Sequence, residues 1–215
     1  MEERMEFREL ERVRPEEIEK RSFEIITQEL GDKKLDPEQE LVIKRVIHTT
    51  ADFDYADHLI FSPHAVKLGI EALKEGVPVI TDTNMGKAGI NKKALERAGS
   101  SVHCFMADED VAEDAKNRQT TRAHASMDKA ARLSKECIFA IGNAPTALVH
   151  LHELIQEGII KPRLIIGVPV GFVNVIQSKE MILSLSDVPY IVARGRKGGS
   201  NVAAAIVNAM LYQIS

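Results

Sequence analysis

The sequence predicts an α/β protein with a mainly parallel sheet covered by helices on both faces, preceded by N-terminal helices. Two observations carry this. Six short runs, 58–61, 77–81, 101–106, 137–141, 164–168 and 190–193, are apolar and β-branched. A helix-like segment separates each run from the next, the pattern of parallel strands joined by crossover helices.

In order, residues 1–14 are dense in Glu and Arg and read as a charged, solvated arm. Residues 15–215 read as one domain. Pro15 opens a helix over 15–30 that Gly31 closes, with Ile18, Phe23, Ile25, Ile26 and Leu30 as its apolar face. Asp36-Pro37, with Gln39 three residues after Asp36, reads as a capping box opening a second helix over 37–49. Its inward face is expected to be Leu41, Val42 and Val46 with Ile43 or Ile47. After the first strand, Ser62-Pro63 starts a helix that stops at Gly76. Further helices are expected over 90–98, ended by Gly99; over 108–136, with a break near 117–121; over 144–157, ended by Gly158; and over 173–185 and 200–214.

Of the 215 residues 44% are hydrophobic and 28% charged, enough for one good-sized core. No apolar run approaches the ~20 residues of a membrane span, and the N-terminus does not read as a signal peptide. Cys104 and Cys137 fall in expected strands and read as buried and reduced, which points to a cytoplasmic chain. A net charge of −4 argues against a nucleic-acid partner but leaves room for a local basic site.

Ligands of open α/β sheets bind beyond the carboxyl ends of the strands. The loops there are 81–86 (TDTNMG), 142–146 (GNAPT), 167–172 (GVPVGF) and 194–201 (RGRKGGSN). The last has the clearest physics. Arg194, Arg196 and Lys197 are interleaved with Gly195, Gly198 and Gly199 just before a helix that starts at Ser200, a combination suited to anions. It matches neither G-x-x-x-x-G-K-[ST] nor G-x-G-x-x-G, and it suits carboxylates as well as phosphates. A flexible, solvated basic turn explains the same residues.

The stretch 45–54 (RVIHTTADFD) closes the second helix. Arg45 and His48, three apart, share a face. His48 falls in the last turn, where the negative end of the helix dipole favours a cation. A lone histidine at a helix end is usually a capping or packing residue. Other constellations are weaker. His150 and His152 point to different sides of one helix and do not make a metal pair. His58 and His64 flank the first strand, and structural roles suit them better. Asp52, Asp54 and Asp57 fit a turn better than a metal site. Arg122 has the composition of a surface arginine, and Ser22 that of a neutral mid-helix residue.

Several segments resemble the precorrin-8X methylmutase family of corrin-ring biosynthesis: RVIHTTAD at 45–52, TDTNM at 81–85, AIGNAPTAL at 140–148, GVPVGFVN followed by SK at 167–179, and GRKGGSNVAAAIVNA at 195–209. With RSFEII at 21–26 the likeness spans nearly the whole chain past the arm. The resemblance implies a three-layer α/β/α fold and a homodimer with clefts at the subunit interface. It implies an isomerase that moves a methyl group from C-11 to C-12 of precorrin-8, giving hydrogenobyrinate, or cobyrinate when cobalt is in the ring. His48 corresponds to the family's proton-donating histidine, and Ser22, Arg45 and Arg122 to substrate contacts. HTTADFD is closer to the cobalt-dependent, anaerobic branch.

The substrate so implied is a flat apolar ring fringed with carboxylates. Thr83, Met85, Val170 and Phe172 suit the walls of its cleft; Arg45, Arg194, Arg196, Lys197, Gly198, Gly199 and Ser200 suit its anionic rim. No cofactor is expected, because a methyl shift changes no net oxidation state; any cobalt belongs to the substrate. No resident metal, nucleic acid or membrane is expected. The alternatives are a non-catalytic tetrapyrrole carrier on the same scaffold and, more remotely, a nucleotide-binding module using the 194–201 loop.

Overall fold

The computed structural model describes residues 11–134 and 136–214. These fall into two compact units, one running to Lys33 and the other Lys34–Ser215. The expected arm lies, through residue 10, outside the described residues.

In the first unit a 3-10 turn at Pro15–Glu17 leads into α1 (Ile18–Leu30). Gly31 follows with φ +58°, and its N–H bonds the Gln28 carbonyl. Among the described residues of this unit only Ile26 of α1 is buried; Ile18 and Ile25, expected inward, are exposed.

The second unit contains β1 (Leu59–Phe61), β2 (Val79–Thr81), β3 (Val102–His103), β4 (Ile138–Ile141), β5 (Leu164–Gly167) and β6 (Tyr190–Ala193), in the spatial order β1-β6-β5-β4-β2-β3. Five strands are parallel; β1 alone is antiparallel, paired Leu59 with Ala193. Every residue of β2, β4 and β5 is buried, as a sheet covered on both faces requires.

Helices α2 (Glu40–Thr50), α3 (Tyr55–His58), α4 (Ala65–Lys74), α5 (Asn84–Gly89), α6 (Lys92–Arg97), α7 (Glu109–Asn117), α8 (Arg122–Leu133), α9 (Pro145–Gln156), α10 (Val175–Leu183) and α11 (Ser200–Leu211) complete the unit. On one face Met127 of α8, Leu148 and Leu151 of α9 and Ile182 of α10 pack with Ile80, Phe139, Ile141, Ile165 and Val192. On the other, α4 lies so close that a Cβ on Gly69 would stand 2.9 Å from Leu164 of β5 and 2.5 Å from Met210 of α11. The break expected near 117–121 separates α7 from α8.

Three details differ from the sequence reading. Pro37 sits in a turn, and α2 starts at Glu40; Asp36 Oδ1 accepts from the Glu38 N–H at 2.8 Å instead of capping the helix. Leu41 is 47% exposed, while Val42, Ile43, Val46 and Ile47 are buried. The buried stripe is therefore rotated away from Leu41, and Lys44 joins its edge through an ion pair with Glu40. Two short helices, α3 and α5, occupy segments read as loops.

Candidate active site

The strand order changes direction between β2 and β4, which is where ligands of doubly wound sheets commonly bind. Here a side chain of the protein fills that position. The buried Asp82, just past β2, accepts from the N–H groups of Gly142 (2.9 Å), Asn143 (2.8 Å) and Ala144 (2.6 Å), just past β4. Burial pushes this carboxyl above its ordinary range, and the three N–H donors oppose the push. The donors that a phosphate would use at this crevice are thus already engaged, which counts against the nucleotide reading.

Next to it, Thr83 caps α5 by accepting from the Gly86 N–H at 2.9 Å, and its Oγ1 lies 2.7 Å from Ser200 Oγ at the start of α11. The segment beyond β6 touches those beyond β4 and β5: a Cβ on Gly142 would stand 2.6 Å from Ser200 Cα, and one on Gly198 2.1 Å from the Val168 carbonyl. Only glycine fits at either position. Gly199, at φ +139°, donates its N–H to that same Val168 carbonyl at 2.9 Å. Beneath the 194–199 loop lies Lys179 of α10, 0% exposed, donating to the carbonyls of Gly195 and Lys197 at 2.8 Å each. Burial lowers its pKa to about 8.

α2 packs on α11, and a groove between them is lined by Arg45, His48, Thr49, Gly89, Asn201, Ala204, Ala205, Asn208 and Tyr212. Arg45 and His48 share this groove as their spacing required. Ala51 ends α2 in the left-handed conformation, φ 52°, its N–H bonded to the Ile47 carbonyl at 2.7 Å. The hydroxyls of Thr49 and Thr50 bond back to the carbonyls of Arg45 and Val46, so both serve the helix. At the far end of the groove the Arg45 guanidinium lies 5.0 Å from the centre of the Tyr212 ring.

Lys197 reaches Asp52 (2.7 Å) and Asp54 (2.6 Å), joining the basic loop to the chain just after α2. Hydrogen bonds from Lys197 hold the Asp54 carboxyl below its ordinary value, and both carboxylates raise the pKa of Lys197. Asp52 also accepts from the Asp54 N–H at 3.0 Å, the turn expected for this cluster.

The remaining candidates surround this core or lie elsewhere. Arg194 is 3.6 Å from Glu180, and the Arg196 guanidinium lies 5.7 Å from the Phe172 ring centre. Met85 (71%), Phe172 (83%) and Val173 (78%) are strongly exposed. Arg122 is the exposed first residue of α8, which Thr121 caps; the Thr121 hydroxyl also meets that of Thr146 at 3.0 Å. Ser22 belongs to the first unit, where its hydroxyl donates to the Ile18 carbonyl at 2.9 Å.

One cluster was invisible in the sequence. His124 and His150 stack at 3.5 Å, with His150 Nε2 2.6 Å from Asp128 and Nδ1 2.8 Å from Glu153. Arg118 donates to Asp128 (2.5 Å) and to His124 Nε2 (3.2 Å). Burial, then the neighbouring His150, lowers the His124 pKa. Burial raises that of Asp128, but hydrogen bonds from His150 and Arg118 outweigh it and the net shift is downward. His124, His150 and Glu153 bring ligand-type atoms within 4.8 Å of one another. The rings, however, lie in nearly parallel planes, 19° apart, and both His150 nitrogens are within hydrogen-bond reach of carboxylates. Hydrogen bonding fits this arrangement better than a metal ion. Asp82, Lys179, Asn201, Asn208 and Tyr212 also escaped the sequence reading. Of these, Asp82, Lys179, Asn201 and Asn208 carried a signal, since each lies within a family-like segment; Tyr212 carried none.

Comparison with known proteins identifies the family. The family model described as precorrin-8X methylmutase matches residues 17–213. A cobalt-precorrin-8 methylmutase of Priestia megaterium is 47% identical over 96% of this chain and 91% of its own length. One of Leptospira interrogans is 47% identical over 90% of this chain and 91% of its own length. A crystal structure of precorrin-8X methylmutase from Thermus thermophilus superposes with a TM-score of 0.83 at 37% identity, covering 91% of this chain and 96% of that one. The chain belongs to the precorrin-8X methylmutase family, isomerases of cobalamin biosynthesis.

Proposed function

We propose that this isomerase moves the C-11 methyl group of cobalt-precorrin-8 to C-12, giving cobyrinate, with His48 as general acid. The carrying observation is that His48 and Arg45, among the described residues the only titratable side chains lining the α2–α11 groove besides Tyr212, project together against a wall of small residues, Gly89, Ala204 and Ala205. A flat ring can approach such a wall closely, and a guanidinium at its edge suits a peripheral carboxylate. His48 is exposed, so its proton can reach a bound ring. Protonation or hydrogen bonding at a ring position shifts electron density so that one C–CH3 bond breaks as the other forms. The proton returns when the product is released, and no oxidant or reductant takes part. A positioned general acid contributes about 10²–10⁴ in rate; holding the ring in a reactive shape supplies a further share.

The cobalt form is preferred because the relatives at 47% identity carry that name. Exposed Met85, Phe172 and Val173 support a homodimer, since a second copy would cover apolar surface that is otherwise costly to leave in water. Arg122, Arg194 and Arg196, all exposed, are read as carboxylate contacts of that assembled cleft.

The test is absorbance over time after mixing the protein with cobalt-precorrin-8 or precorrin-8, beside His48→Ala. Conversion by the wild type, with binding but no conversion by the variant, is the expected result. Equal conversion by both removes His48 from its role. Binding of either ring without conversion by the wild type would establish the carrier instead.

A further inference from the structure

The buried lysine under the basic loop has no part in the chemistry just described, and a cation fully removed from water needs a reason. Lys179 is 0% exposed and lies in the middle of α10. An ammonium is a donor three times over and accepts nothing, so it can only gather acceptors. The acceptors it gathers are the main-chain carbonyls of Gly195 and Lys197, both at 2.8 Å. The carbonyl between them, of Arg196, accepts from the Gly171 N–H at 3.2 Å. Three successive carbonyls of the loop are therefore held by the body of the protein.

Peptide planarity makes this consequential. There is no cis peptide bond among the described residues. In a trans peptide the N–H of one residue points opposite to the carbonyl before it. With the carbonyls of 195, 196 and 197 turned toward their partners, the N–H groups of Arg196, Lys197 and Gly198 are turned away from them. Among the described residues none of these three N–H groups makes a hydrogen bond within the protein. Arg196 and Lys197 are exposed and Gly198 is half-buried. The loop cannot retreat from this conformation, because Gly198 is packed against the Val168 carbonyl. The loop thus carries three main-chain donors not used within the protein, with a buried cation beneath it whose charge water does not screen.

We infer that Lys179 is a positioning residue for substrate binding: by drawing the Gly195 and Lys197 carbonyls inward it presents the N–H groups of residues 196–198 to a peripheral carboxylate of the ring. This rests on the tetrapyrrole reading above. It gives a role to the glycines of the loop and to the main chain, where the side chain of Lys197 is already paired with Asp52 and Asp54.

The experiment uses the full chain as wild type, Lys179→Met and Lys179→Gln. It combines steady-state kinetics on cobalt-precorrin-8 with amide hydrogen exchange over 194–201, with and without cobyrinate. In the wild type, cobyrinate should protect the amides of 196–198. In either folded variant that protection should be lost and KM should rise about tenfold or more, a factor appropriate to one charge-assisted hydrogen bond, while kcat stays within about threefold. A loss confined to kcat, or an unchanged KM in a folded variant, overturns the inference. So does conversion by a wild type whose 196–198 amides gain no protection, a readout that decides the matter even if neither variant folds. A wild type that neither converts cobalt-precorrin-8 nor binds cobyrinate overturns the functional reading itself.

Discussion

The guanidinium of Arg45 lies 5.0 Å from the centre of the Tyr212 ring, whose hydroxyl accepts from Asn91 Nδ2 at 3.2 Å. Asn91 in turn donates its own N–H to Asn208 of α11 at 2.8 Å. The ring face beside Arg45 is therefore fixed by a short relay. A cation over an aromatic face gains about 0.5–2 kcal/mol. If Arg45 meets a substrate carboxylate, Tyr212→Leu should raise KM by about 2- to 30-fold, and Tyr212→Phe, which keeps the ring, should stay near wild type. Steady-state kinetics on the two variants checks this; equal KM for Tyr212→Leu and wild type would remove the ring from that role.

Lys197 meets Asp52 and Asp54 across 145 and 143 residues of sequence, tying the basic loop to the end of α2. Its contribution should be small, because all three side chains are substantially exposed. Its pH dependence is the informative part. Asp54 is held below its ordinary value, so the bridge contributes above the carboxylate range and is lost as pH falls through the folded value. The raised Lys197 keeps its proton through the alkaline range. The stability difference between wild type and Lys197→Met should be flat from about pH 6 to 9, shrink below about pH 4, and diminish with added salt. Thermal melts across pH and NaCl would measure it, and a difference that persists at pH 2 would contradict this account.

Asp82 holds the crevice between β2 and β4 closed with three main-chain hydrogen bonds. Asp82→Asn keeps the shape but replaces one acceptor oxygen by a donor, which would face an N–H group. Loss of charge-assisted bonds in a buried place costs about 1.5–3 kcal/mol each, so a drop of roughly 2–4 kcal/mol in unfolding free energy is expected. Urea denaturation of the two proteins reads it directly. A loss below about 1 kcal/mol would mean that the three N–H groups find other partners.

Local pattern accounts for what the sequence revealed. Strands β2, β4 and β5, buried on both faces, are apolar throughout and were legible for that reason; β1, β3 and β6 were legible as short apolar runs set between helices, as was the break between α7 and α8. The antiparallel direction of β1 was not, because direction depends on how β6 returns beside it. Asn84–Gly89 reads as a loop since two of its six residues are glycine; it is helical because Thr83 caps it and Gly89 lets it approach Ala204, where a Cβ would stand 2.9 Å away. Arg45 and His48 were legible together from helical spacing alone. Their surroundings were not: Asp82 meets residues 60 to 62 positions away, and Tyr212 comes to Arg45 only once α11 packs on α2.

Lys179 supplies a pH signature with a definite sign. Burial lowers its pKa from 10.5 to about 8. The folded chain thus holds this proton less tightly than the unfolded one, and between pH 8 and 10.5 the unfolded chain carries more protons. Stability attributable to Lys179 must therefore rise with pH across that window, by about 3 kcal/mol for a shift of this size. Other groups titrate there as well. Cys137, pushed up to about 11 by burial, works in the opposite direction, since its thiol ionises first in the unfolded chain. The comparison that isolates the lysine is the unfolding free energy of wild type minus that of Lys179→Met, from urea melts at pH 7.5 and pH 10.5. That difference should move in favour of the wild type at the higher pH. A difference that does not change would mean that Lys179 is charged in the folded state throughout, and that the two carbonyls of Gly195 and Lys197 offset its burial completely.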